Sequence, residues 1–362
     1  MISTFTLDAG LSAPPAFKDA RGYLPLEGGR LVALDLVGGR ELWTATVRVA
    51  AEPVAGEGLV FVAEPDALTA LREEDGAVAW RFPFAEALAV PLVWDNGWLI
   101  AANTTGSIIA FRATDGHLLW RRDIGSRPHA PPALAADRVY VPAEDGRIVA
   151  LRVDTGAPVW ERRLGGSPNA ILALDDRLYV GSTDKFFYCV EAEKGQIAWR
   201  WRTGGDVIGV PVVDDRRVYF VSLDNILRAL DRRTGAQRWK RPLPLRPIAG
   251  PLHATDLLLV AGLSPTVRAY RARDGVAAGD LPTGGEAAAQ PHVVNVATLP
   301  TPLVVVVAQD VTKGTMVWVA TRAIEPPIAP IGPLPNPTPV TSGAAEPPAL
   351  PEQSQGSRGS RR

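Results

Sequence analysis

A tryptophan returns about every forty residues, always four places after a glycine. The glycines are Gly39, Gly76, Gly116, Gly156, Gly195, Gly235 and Gly275, spaced 37, 40, 40, 39, 40 and 40. The tryptophans are Trp43, Trp80, Trp120, Trp160, Trp199 and Trp239, and six residues before each glycine stands a small residue: Ala33, Ala70, Ala110, Ala150, Cys189, Ala229 or Ala269. A period of this length means one supersecondary unit stacked on its own copies, so the repeat fixes the fold class before composition is consulted.

Within one period, "PPALAADRVYVPAEDGRIVALRVDTGAPVWERR" alternates short apolar or β-branched runs with the turn signals "ADR", "EDG" and "DTG". Runs of four to seven residues at this spacing are strands joined by hairpins, and no helical period is present. Four strands per forty residues make a propeller blade. In this copy "PPAL" reads as strand A, "RVYVPA" as B, "RIVALRV" as C and "APVWERR" as D. The glycine falls in the C-to-D hairpin, where a left-handed backbone is cheap for glycine. The tryptophan on strand D can dock on the next blade, and the small residue on strand C leaves room for the ring. Cys189 then reads as a small buried residue rather than a catalytic thiol.

A second column, Ala13, Ala50, Ala89, Ala130, Ala170, Gly209, Ala249 and Ala289, marks the start of eight strands A. Short side chains suit the crowded axis of a ring. The eighth repeat supplies A, B and C but no D, and "ISTFTLD" stands at the other end where a strand D belongs. The expectation is an all-β, eight-bladed propeller of four-stranded antiparallel blades over residues 1–323, closed by its N-terminal strand. Gly279 replaces the tryptophan in blade 7, and Ser3 is the matching position on the N-terminal strand, which marks this seam as the weak point of the ring. Met1 falls inside the start of that strand, which points to a chain that begins further upstream.

The copies "ALDRRTGAQRW" and "ALDLVGGRELW" resemble the pyrroloquinoline-quinone-like (PQQ-like) β-propeller repeat of the quinoprotein-like superfamily. The resemblance covers almost the whole chain, and length and blade count place it with the BamB-like, non-catalytic branch. That branch implies an interaction scaffold in cell-envelope or outer-membrane protein assembly. The alternative is a quinone or small-ligand binding protein, a degenerate quinoprotein dehydrogenase. The alcohol dehydrogenases of the superfamily's enzyme branch stack PQQ on a disulfide between adjacent cysteines, whereas Cys189 is alone. No cofactor is therefore expected.

No catalytic constellation emerges. His117, His129, His253 and His292 lie in different repeats, and Asp175–Asp176 and Asp214–Asp215 fall in A-to-B turns. Neither a P-loop nor a G-x-S-x-G occurs. With 38 basic and 39 acidic residues the net charge is −1, so no overall field draws nucleic acid. No run reaches the roughly 18 apolar residues of a membrane span. The resemblance implies the periplasm or cell envelope, while the chain as given opens without an export signal, which keeps the cytoplasm open.

Binding is expected on the loops that vary within the fixed frame. These are the D-to-A loops "PFAEALA", "IGSRPHA", "LGGSPNA", "TGGDVIG" and "PLPLRPIA". Arg127, His129, Asn169, Asp206 and Arg246 are the candidate contacts for a protein partner of a monomeric chain. Arg121, Arg122, Arg162, Arg163, Arg200, Arg202, Arg238, Lys240 and Arg241 crowd the outermost strands, either to block edge-to-edge pairing or to face a polyanion. From 324 to 362 a proline-rich stretch without aromatic residues reads as a disordered spacer.

Overall fold

The computed structural model describes residues 3–296, 299, 301–310 and 314–321, and the proline-rich stretch lies outside them. Among the described residues every regular element is a strand, gathered into eight antiparallel sheets. Seven blades span 16–46, 54–83, 93–123, 133–163, 168–202, 207–242 and 252–282. In the repeat dissected above, strands A to D are Ala133–Ala135, Arg138–Pro142, Arg147–Arg152 and Pro158–Arg163. The eighth blade takes strand A in two pieces, Glu286–Ala287 and His292–Val294, then Leu303–Asp310 and Gly314–Thr321. Its strand D is Ser3–Thr6, antiparallel to Gly314–Thr321 with Ser3 opposite Val319, so the N-terminal strand closes the ring.

The repeated motif is one joint made six times. Each tryptophan lies opposite the small residue of its own strand C, as Trp120 does Ala110 and Trp199 does Cys189. Its indole then reaches the next blade. Trp120 Nε1 donates to the Val153 carbonyl at 2.6 Å and Trp80 Nε1 to the Ala113 carbonyl at 2.9 Å. In all six cases the acceptor stands three residues before the hairpin glycine of the following blade. The glycines of this column have φ between +65° and +73°. At Gly156 a Cβ would also sit 2.5 Å from the Trp120 ring. Glycine is thus demanded twice, by its own backbone and by the ring lying on it. Tyr23, Tyr140, Tyr179 and Tyr219 on strand B tilt against the tryptophan of their own blade at 5.8–6.2 Å and extend the aromatic joint inward.

The seam follows the same rule by other residues. Phe5, opposite Val317, takes the docking place: a Cβ on Gly39 would lie 3.0 Å from its ring. The docking position on the N-terminal strand is therefore Phe5 and not Ser3, because the strand has no hairpin of its own to set the count. Blade 8 also has no C-to-D hairpin, since its strand D comes from the other end of the chain. A tryptophan at Gly279 would have no glycine to cover. Trp318 of blade 8, opposite Val306 of its own sheet, instead joins a cluster with Ala269 and Leu281 of blade 7.

Near the axis the small-residue column is crowded as expected. A Cβ on Gly209 would fall within 1.9 Å of the Gly250 nitrogen. Blades 5 and 6 are tied there by Asn169, whose Nδ2 donates to the Val207 carbonyl.

Two outcomes are expected. Gly156→Ala should destabilise by about 1–2 kcal/mol for the left-handed backbone and about 1–3 kcal/mol more for crowding the indole. Gly58→Ala, at φ +75° with nothing within 4 Å of the new methyl, should show only the first part in denaturant titrations. Deleting residues 1–8 removes the closing strand and leaves two sheet edges open. Size-exclusion chromatography should then show oligomers or aggregates, and a monomer with an unshifted midpoint would refute closure.

Candidate protein-docking face

In each blade the chain runs down strand A, up B, down C and up D, so the D-to-A loops and B-to-C turns share one face. The two are sewn together by the backbone. One amide in each B-to-C turn donates to a carbonyl of the D-to-A loop: Thr104 to Ala87, Glu144 to Arg127, Thr183 to Ser167, Leu223 to Asp206 and Leu263 to Arg246. With the backbone satisfied in this way, the side chains of these loops are released to point outward.

The five expected contact residues separate into two groups. Arg127, His129 and Arg246 are exposed, and Arg127 stands 3.4 Å from Glu144. Asp206 is half-buried. Asn169 is consumed by its bond to blade 6, so it belongs to the frame rather than to the face. The residues stand on four successive loops around the ring.

A feature not anticipated from the sequence is an apolar group over blades 6 and 7 of this face. Leu263 is 57% exposed, Val210 40%, Leu223 37% and Ile248 37%. The turn position held by Leu223 and Leu263 is polar in Glu27, Thr104, Glu144 and Thr183, which make the same amide bond. The signal was present in the chain, in "VSLDN" and "AGLSP", but only the hydrogen-bond register aligns these turns. Between blades 2 and 3 the same face holds a cleft of about 520 Å³ lined by Pro65, Phe84, Leu88, Val90 and several alanines. The two carboxylates beside it are already engaged, Glu64 by Arg81 and Glu86 by both terminal nitrogens of Arg121. Arg121 holds the Glu86 carboxyl below its usual range.

Much of the basic rim is also spent inside the ring. Arg122, Arg162 and Arg241, each two residues after a docking tryptophan, donate Nε to the carbonyls of Gly156, Gly195 and Gly275 in the next blade. Arg163 donates to the Asp145 carbonyl, Arg238 pairs with Asp231, and Arg200 lies 5.0 Å over the Phe186 ring. Of the nine, only the side chains of Arg202 and Lys240 have no partner among the described residues.

The acid and histidine candidates have structural places. Asp214 accepts the amides of Arg216 and Arg217 and closes its turn, while Asp175 has φ +54° in the matching turn. His292 stacks on Phe17 at 4.9 Å, and burial lowers its pKa. Cys189 is fully buried under Trp199, and burial pushes its thiol up to about 12. As the single cysteine of the chain it cannot form a disulfide with an adjacent cysteine. No three His, Cys, Asp or Glu among the described residues are grouped to hold a metal ion. No helix among them is long and apolar enough to cross a membrane.

A family model described as outer membrane protein assembly factor BamB matches residues 2–82, 66–175 and 164–323. No curated protein matches the chain. Among solved structures, BamB from Moraxella catarrhalis is 20% identical, with a TM-score of 0.68 over 88% of this chain and 98% of that one. The quinohemoprotein alcohol dehydrogenase of Comamonas testosteroni is 14% identical, with a TM-score of 0.70 over 90% of this chain and 77% of its own. The computationally designed Ika8 protein reaches 0.73 at 16% identity, over 87% and 98%. At these identities the three structures speak for the fold.

The division between frame and face is measurable. Asn169→Ala should lower stability by about 1 kcal/mol through its lost bond. Arg246→Ala and His129→Ala should leave the melting midpoint in place, since neither side chain holds the fold.

Proposed function

Because this chain belongs to the family of the outer membrane protein assembly factor BamB, we propose that it is a non-enzymatic scaffold that docks a protein partner on its loop face, in the cell envelope. The carrying observation is the exposed apolar group of Val210, Leu223, Ile248 and Leu263, of which Leu223 and Leu263 stand at a turn position where four other blades turn polar side chains to solvent. Apolar side chains gathered on one face mark an interaction surface. Arg246, on the loop bonded to Leu263, adds a cation at the rim of the group. The closed ring behind it keeps this surface rigid, so binding costs little ordering.

The likeness in fold to quinohemoprotein alcohol dehydrogenases supports a second reading, a small-ligand protein descended from an enzyme. Equilibrium dialysis with pyrroloquinoline quinone separates the two, because binding tighter than about 1 µM favours the second.

The first reading predicts that Leu223→Asp with Leu263→Asp abolishes recovery of partner proteins from envelope extract while leaving the melt unchanged. Both residues are exposed, so the frame is spared. Equal recovery by variant and wild type would sink it.

A further inference from the structure

The opposite face, formed by A-to-B turns and C-to-D hairpins, carries one blade unlike the rest. Two and three residues before the hairpin glycine, the blades place Leu36 and Val37, Glu73 and Glu74, Ala113 and Thr114, Val153 and Asp154, Ala192 and Glu193, and Ala272 and Arg273. Blade 6 alone places two arginines, Arg232 and Arg233. In the A-to-B turn, just before strand B, the other blades hold Ala20, Gly58, Gly97, Asp137, Asp176 and Asp256, and blade 6 holds Arg216. The repeat is its own control. The frame needs no cation at these positions, yet blade 6 supplies three.

They line one cleft of about 410 Å³ together with Asp215, Arg217, Asp231 and Arg238. Several of its charges are already matched. Arg238 meets Asp231 at 2.6 Å, Arg232 meets Asp175 at 2.9 Å and Arg217 lies 3.5 Å from Asp214. That leaves the exposed guanidiniums of Arg216 and Arg233 without a side-chain partner among the described residues, against the one unmatched carboxylate lining the cleft, Asp215.

We propose that this cleft under blade 6 binds a phosphoryl group. Two free guanidiniums on separate loops reach an anion from two directions, which suits a tetrahedral oxyanion with donors around it. A planar carboxylate is served by one guanidinium in a two-pronged fork, as Glu86 is by the two terminal nitrogens of Arg121 in this protein. The matched pairs around the cleft hold its wall in place, so the two free arginines act on a fixed frame. This site lies on the face opposite the protein-docking loops and is independent of that reading.

The test is isothermal titration of the full chain with inorganic phosphate at constant ionic strength, beside flotation with phosphatidylcholine vesicles with and without phosphatidylglycerol. The variants are Arg216→Gln with Arg233→Gln and, as a control for charge alone, Arg202→Gln with Lys240→Gln on the rim. Expected is phosphate binding that falls at least about tenfold in the first pair and is unchanged in the second. Thermal melts should be unaltered in both, since all four residues are exposed and none of their side chains has a side-chain partner among the described residues. Flotation that depends on phosphatidylglycerol and on the same two arginines assigns the group to a lipid headgroup, and titration alone assigns it to a soluble phosphate. Equal losses in both pairs, no response to either probe, or binding of a polyglutamate peptide with none of phosphate overturns the proposal.

Discussion

The structure depends on an indole laid over a glycine of the neighbouring blade. A four-stranded blade is too small to bury its own faces, so it is stable only against copies of itself. The joint answers that need with two terms. Ring contact excludes water over a large apolar area, and the indole N–H fixes orientation by meeting a carbonyl that would otherwise be lost at a hairpin. Arg122, Arg162 and Arg241 repeat the second term a few ångströms outward, at the carbonyl of the glycine itself. Each interface is thereby tied to a hairpin, the part of a blade least able to shift.

This explains what could be read from the chain. The blade count, the strand order and the place of Cys189 were legible because one interaction recurs with fixed spacing, and recurrence converts a weak local pattern into a strong one. Legibility failed where the repeat stops. Phe5 was overlooked because the strand that carries it enters from the far end of the chain, with no hairpin glycine before it. Asn169 looked like a loop residue because its acceptor, Val207, lies 38 residues on. Arg122, Arg162 and Arg241 looked like part of a charged rim for the same reason, since their acceptors belong to the next blade.

The same logic sorts the surface. Positions that serve the ring are held nearly constant from blade to blade, and positions that do not are free to differ. Leu223 and Leu263 on one face stand out because four other blades hold polar residues at their place, and on the other face blade 6 stands out because no other blade joins an arginine in the A-to-B turn to a pair of arginines in the hairpin. In a repeat protein the departures from pattern locate function better than the most regular residues, which report packing.

Closure by Ser3–Thr6 has a consequence in time. Ser3 finds its partner, Val319, only when nearly the whole propeller has been synthesised. During translation the blades can form in order from the N-terminus, each docking on the one before. The first strand must meanwhile wait unpaired, a short β-forming segment beside nascent sheet edges. The last step of folding is therefore also the longest loop closure in the molecule, and the interval before it is when a cell has most reason to shield this chain.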